Sequence, residues 1–417
     1  MQIPKKQILE LFAQFQGEYL NIVKNSKRSL SYDPLHDEIS YDEKESIATT
    51  LTVIKNHKKS VFRMDGFSVP MLESALQDIE SVIEFEYDED IVLPKVENIQ
   101  DAVHDFSSSV LHDVPFSHLE NIFQYVKSFP LPDEISLEGF SASIYHQTHI
   151  FLNSQGVYQE QNSSESSIYI EYFENGDIRD THYLYENTLT LPEITEQKLQ
   201  KIVLELQTKL TARDPFVPGV YTVTLERDVA SEFVDIILGN LSAQSIRELS
   251  IFSLENVGKK VLGDNFTLIN SPSLEYTGNT AFDGEGIPAK KHVLFQDGTL
   301  TSLFCDYKNT QKMNGKFLGN SGVYNIEMVG QTPDFLKKSS LLITNLMAFH
   351  TVDSNTGKFS LAEYILKNGE KIGYTKDITL SGNILDLFSN IIAFGDDAKT
   401  SGNMKIPSLT IENQTIS

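Results

Sequence analysis

The stretch from Leu274 to Asn309 restricts the fold more than any other, because glycine- and aspartate-dependent backbone signals crowd into it. A loop comes first, Gly278-Asn279-Thr280 and then Phe282-Asp283-Gly284-Glu285-Gly286, whose glycines supply torsions that other residues resist. Lys291 to Phe295 and Thr299 to Phe304 then flank Gln296-Asp297-Gly298. Apolar runs on either side of a short Asp-Gly turn read as a β-hairpin. A carboxylate-bearing loop therefore feeds a hairpin, and taken on its residues alone it reads as a solvated loop capping a sheet.

The rest of the chain must build around that hairpin, and 417 residues are enough for two or three domains with a sizeable core. No apolar run reaches the eighteen or so residues of a membrane helix, and the start of the chain passes into an amphipathic pattern without a secretory h-region. A cytoplasmic location is expected. Cys305, the single cysteine, follows Leu303 and Phe304 in a strand-like pattern and reads as a small core residue. The 34 Lys+Arg against 58 Asp+Glu leave a formal net charge of -24. That excess repels phosphate backbones, and Lys58-Lys59 and Lys290-Lys291 are too short to make a nucleic-acid face.

Periodicity organises the chain in order. Ile8 to Ile22 shows helical spacing and predicts an amphipathic helix. An acidic, turn-rich stretch from Tyr32 to Glu45 precedes a hairpin of Ala48 to Ile54 and Ser60 to Met64. Ser68 and Pro70 introduce a helix running from Met71 to Ile83. The five carboxylates between Glu84 and Asp90 read as a solvated face, having neither the glycine of a calcium loop nor a histidine. Helical spacing recurs from Ile99 to Phe106 and from Phe116 to Val126.

A second hairpin follows, from Phe140 to Tyr158 around Asn153-Ser154-Gln155-Gly156, with Ser167 to Tyr172 pairing onward. Its His146 and His149 fall on opposite strand faces and make a poor chelating pair. A helix spans Ile194 to Thr211, and the Pro/Gly hinge from Asp214 to Gly219 divides an amino-terminal domain (1–215) from a carboxyl-terminal one (216–417). The latter is mainly β: Tyr221 to Leu225, the central hairpin, Val323 to Val329, Lys358 to Leu366 with the turn Lys367 to Glu370, and Met404 to Ile411. The expected class is α+β, an amino-terminal α/β domain of antiparallel hairpins and helices followed by a mainly β domain with inserted helices.

Several of these segments resemble the TldD/PmbA family, peptide-maturation metalloproteases also known as modulators of DNA gyrase. The signature loop Asp283, Gly284, Glu285, Gly286 and Pro288 resembles the family's F-D-D-E-G-x-P, with Gly284 in place of its second Asp. The hairpin from Phe140 resembles its S-x-Y-S-x…N-S-x-G-L. Ile378 to Ile384 and Ile391 to Asp397 resemble I-T-I-A-G-N-L and I-V-A-V-G-N-D.

The resemblance implies a fold and a division of labour. Catalytic members carry an H-E-x-x-x-H helix and a cysteine near the carboxyl end, two imidazoles and a thiolate being suited to zinc and the glutamate to acting as base on its water. The corresponding helix here, Asp228 to Asn240, places Ser231 and Ile236 at the histidine positions and keeps Glu232; Gly402 to Pro407 stands where the cysteine is expected. The resemblance thus points to a TldE/PmbA-like, non-catalytic subunit that binds no cofactor itself, with zinc in a TldD-like partner, a heterodimer or also a homodimer, and an unstructured peptide as substrate. Nucleic acid and membrane are not expected partners, and no residue is assigned to substrate. Two other readings stay open: an active metallopeptidase using substitute ligands from His104, His112, His118, His146, His149 or His350, and a gyrase-associated binding protein.

Overall fold

A computed structural model describes residues 4–13, 17–83, 102–175, 181–211, 217–248, 250–264, 266–274, 276–312, 320–351, 356–367 and 370–417. The class is α+β, with helices set against antiparallel and mixed sheets. The first half of the chain builds one seven-stranded sheet. Its elements are α1 (Lys5–Phe12), β1 (Glu18–Asp33), β2 (Glu38–Lys55), β3 (Lys58–Asp65), α2 (Val69–Val82), β4 (Ala102–Phe106), α3 (Ser109–His112), α4 (Phe116–Lys127), β5 (Ile135–Asn153), β6 (Tyr158–Glu174), β7 (Thr181–Thr188) and α5 (Glu196–Thr211).

Strand order is β3-β2-β1-β5-β6-β4, with β7 also on β6, and every pairing except β4 with β6 is antiparallel. Period-two alternation sends Leu20, Ile22, Leu30, Ile144, Ile150, Ile168 and Ile170 to one face. The strands are so long that two helical layers share that face. Near one end α1 and α2 bury Phe12, Leu72 and Leu76 against β1, β2 and β5. Further along, α4 and α5 bury Phe123, Val126, Leu199 and Leu206.

The second half comprises β8 (Gly219–Leu225), α6 (Arg227–Gly239), α7 (Ala243–Glu248), β9 (Thr267–Ser271), β10 (His292–Gln296), β11 (Thr299–Leu300), α8 (Tyr307–Lys312), β12 (Asn325–Val329), β13 (Leu341–Thr351), β14 (Thr356–Lys367), β15 (Glu370–Asn383), α9 (Ile384–Ser389), β16 (Ile391–Phe394), β17 (Lys399–Ser401), β18 (Met404–Ile406) and β19 (Leu409–Ile416). One sheet runs β11-β10-β9-β12-β18-β17. The other runs β15-β14-β13-β8-β19-β16 and turns back on itself where Leu380 of β15 pairs with Ile416 of β19. Phe233, Val234, Ile237 and Leu238 of α6 are buried in the core shared by the two sheets.

The turns behave as their residues require. Asn56 and His57 between β2 and β3, and Asp297 and Gly298 between β10 and β11, all take positive φ, the geometry of tight hairpins. Asn153 Oδ1 accepts from the amides of Gln155 and Val157, closing the β5–β6 turn. Ser68 caps α2 by accepting from the Met71 amide at 3.3 Å.

Five expectations are corrected. The helix predicted over Ile8 to Ile22 ends at Phe12, and Tyr19, Leu20 and Ile22 belong to β1; Gly17, at φ 101°, turns the chain into the sheet where a Cβ would lie 2.3 Å from the Ile54 carbonyl oxygen. Much of the acidic stretch from Tyr32 to Glu45 is strand, its charges paired across to β1 by Lys24–Glu45 and Arg28–Glu43. Residues 102–106 form β4, held parallel to β6, where a helix was expected up to Phe106. The hairpin's second strand stops at Leu300, short of Phe304, because Thr301 and Ser302 turn their amides back to the Leu294 carbonyl. Pro407 splits Met404 to Ile411 between β18 and β19. The acidic run Glu84 to Asp90, the first half of the hinge, residues 214–216, and the middle of the predicted turn, residues 368–369, lie outside the described residues.

Candidate functional site

The signature loop is built around one carboxylate. Asp283 Oδ1 accepts from the amides of Glu285 (3.0 Å) and Ile287 (3.1 Å), and Oδ2 receives Asn320 Nδ2 at 3.2 Å. Gly286, at φ 74°, lies so close to Phe151 that a Cβ would come within 2.2 Å of its ring, whereas a Cβ on Gly284 meets open space. Glu285 Oε2 accepts from the Tyr307 amide at 2.8 Å. Burial pushes its carboxyl up to about 7, helped by the negative charges of Asp283 and Asp306 and opposed by that hydrogen bond.

This loop docks onto the polar face of the amino-terminal sheet. Asn21 Nδ2 donates to the Gly284 carbonyl at 3.0 Å, and Gln161 Oε1 accepts from the Ala281 amide at 2.8 Å. His149 lies 2.8 Å from Asn21 Oδ1 and packs on the Phe282 ring; burial pushes its imidazole down to about 4, so it is neutral. His146, three residues earlier, instead meets His112 at 5.8 Å between ring centroids.

A separate cleft of about 410 Å³ opens between the two halves. Tyr183, Tyr185, Glu186 and Thr188 of β7 form one wall, and Arg227, Asp228, Ser231, Glu232 and Asp235 of α6 face them. Lys399 to Ser401, Asn403 and Met404 close one side. Burial and the neighbouring Asp235 and Asp228 raise the Glu232 carboxyl above its ordinary value, and burial raises that of Asp235. The Tyr183 phenol is raised by burial and by facing Glu232 and Asp228. The cleft thus opposes a ring of hydroxyls to a line of carboxylates, an arrangement suited to binding polar chains through hydrogen bonds.

Of the two positions that the resemblance aligns with zinc-binding histidines, only Ser231 lines this cleft, and its hydroxyl donates to the Arg227 carbonyl at 2.8 Å. Ile236 packs against the hydrophobic core. A serine engaged with its own helix and an aliphatic side chain do not fit zinc. None of Asp283, Gly284, Glu285, Gly286 or Pro288 lines the cleft. His104 stacks on Phe106, His118 is exposed on α4, and the side chain of His350 lies outside those described.

The cleft residues of β7 and β17 escaped sequence reasoning. Tyr183, Tyr185, Glu186 and Lys399 belong to no motif, and only the folded sheet brings residues so far apart in the chain together. Alternation of tyrosines along Thr181–Thr188 was the one available signal.

Residues 218–417 match the PmbA/TldA metallopeptidase C-terminal domain. The metalloprotease PmbA of Escherichia coli O157:H7 is 27% identical over 293 residues, spanning 67% of this chain and 64% of that protein. A candidate modulator of DNA gyrase from Bacteroides thetaiotaomicron superposes with a TM-score of 0.89 at 17% identity over 100% of both chains. TldE from Thermococcus kodakarensis does so with 0.86 at 15% identity, over 99% of both. The structural likenesses carry the fold of the whole chain, and the domain match carries the relationship of its second half: residues 218–417 belong to the PmbA/TldA metallopeptidase C-terminal domain family.

Proposed function

We propose that this chain is a non-catalytic, TldE/PmbA-like subunit of a cytoplasmic metallopeptidase complex, and that it pairs with a TldD-like subunit to degrade or mature unstructured peptides. The observation that carries the reading is the donor set on α6: Ser231 is committed to its own helix, Ile236 packs against the core, and a polar cleft remains in front of Ser231. Zinc would belong to the partner, where it would activate water. This chain would contribute a wall along which an extended peptide lies.

β7 is suited to that task. It pairs with β6 on one side, and Tyr183 and Tyr185 along it are about half exposed toward the cleft. A peptide laid against this edge would be held by main-chain hydrogen bonds with little demand on its sequence. Among the described residues no helix is long and apolar enough to cross a membrane. The test is co-expression with a TldD-like protein carrying an intact H-E-x-x-x-H helix. Cleavage of an unfolded peptide should require both chains and be abolished by chelation, whereas equal cleavage by the isolated, metal-stripped chain would end the proposal.

A further inference from the structure

The cleft is bounded on one side by the hairpin end 399–404, where β17 turns into β18, which belongs to a carboxyl-terminal sheet yet rests on the amino-terminal one. Two contacts hold it there. The Gly402 amide donates to the Asn187 carbonyl at 3.1 Å, and Lys399 Nζ reaches Glu186 Oε1 at 2.6 Å. Glu186 is 6% exposed, and its second oxygen takes Lys198 Nζ of α5 at 2.9 Å. Lys198 also donates to the Glu193 carbonyl, so the α5 side of this network is anchored independently of the turn.

A buried carboxylate that accepts two ammonium groups on separate oxygens is fully compensated only when both are present. Burial opposes the charged form of Glu186, and the two lysines override it, holding its carboxyl below the usual range. The location matters as much as the strength. Glu186 and Lys399 line both the cleft and an adjoining cavity of about 180 Å³ that reaches Lys201, Arg227 and Thr344. The pair therefore stands as the partition between two spaces, and among the described residues the one other hydrogen bond from 399–404 to β7 is the main-chain bond from Gly402 to Asn187.

We propose that Glu186 is the positioning residue of the cleft: through Lys399 it holds the wall 399–404 against β7 and so sets the gap between Tyr183 and α6. Its relevance to peptide handling rests on the function proposed above, but the geometry it claims does not. Removing the carboxylate's charge leaves Lys399 only a neutral acceptor and loosens the hairpin end from β7, though its own sheet still holds it through Thr277, Tyr324 and Ile326, while removing Lys198 leaves the Glu186–Lys399 contact in place.

The experiment uses the full chain and two readouts. The protein contains no Trp, so Tyr183→Trp supplies a single reporter in the cleft wall. On that background, Glu186→Gln and Lys399→Ala should each raise acrylamide quenching about twofold or more and speed exchange of the Gly402 amide about tenfold. The double variant should do no more than either single one. Lys198→Ala should leave Gly402 exchange unchanged, and Lys399→Arg should restore both signals. Should Glu186→Gln fail to fold, Lys399→Ala, at a half-exposed side chain, carries the test alone. Additive effects, or faster exchange without a change in quenching, would overturn the proposal. Loss of peptidase activity on co-expression bears on the subunit reading only, since neither readout involves a partner or a substrate.

Discussion

Glu285 is a carboxylate placed where water cannot fully solvate it. The unfolded chain releases its proton near 4.5, while in the folded chain burial delays release to about 7. Over that interval the native state binds more protons than the unfolded one, so the stability this group contributes is full below 4.5 and is lost as the pH rises through 7. Glu18, also raised to about 7 and chiefly by burial, acts in the same direction. We expect Glu285→Gln, which keeps an acceptor for the Tyr307 amide, to flatten the fall in stability across this range by up to about 2–3 kcal/mol. Urea denaturation of wild type and variant at pH 4.5, 6 and 8 checks this, and parallel curves would refute it. The sequence marked Glu285 as part of a signature loop but left it solvated. Its burial comes from a chain segment docked by Asn21, His149 and Gln161, which no local pattern connects to it.

At the level of elements, the chain is legible wherever one turn or one cap decides the outcome. The Asp-Gly and Asn-Ser-Gln-Gly hairpins, the helix after Ser68 and those over Phe116–Lys127 and Glu196–Thr211 all formed where their residues required. The reading failed where two periods fit the same residues, as at Tyr19, Leu20 and Ile22, which satisfy helix and strand alike until a long-range partner strand chooses. The signature loop shows how unequal two glycines of one motif are. Gly286→Ala must place a Cβ at φ 74° against the Phe151 ring, which should cost about 2–4 kcal/mol from backbone strain and overpacking combined. Gly284→Asp, restoring the residue more usual in the family, points into open space and should change stability by less than about 0.5 kcal/mol. Denaturation midpoints of the two variants decide the matter; comparable losses would mean that the loop does not pack on Phe151 as described.

Over the whole molecule, the buried clusters separate by halves. The main carboxyl-terminal core gathers residues from Val223 to Ile416, while the two large amino-terminal clusters stop at Leu206. A small cluster of Phe151, Val157 and Phe282 joins them at the signature loop, and the Glu186–Lys399 contact joins them at the cleft. Composition announced a chain large enough for such a division, but not the cleft, because its walls are assembled from strands more than two hundred residues apart. The last strand tests the separation. β19 lies beside β8 and β16, touches β15, and fully buries Leu409, Ile411 and Ile416. Burying three aliphatic side chains is worth about 5–9 kcal/mol, which is comparable with the entire stability of an ordinary domain. A chain ending at Ser408 should therefore lose amide protection throughout β8 and β13 while β1, β5 and β6, whose core contains nothing from that strand, stay protected. Hydrogen exchange read peptide by peptide distinguishes the outcomes. Protection surviving in β8 would show that β19 is dispensable, and protection lost from β5 and β6 as well would show that the two cores fold as one.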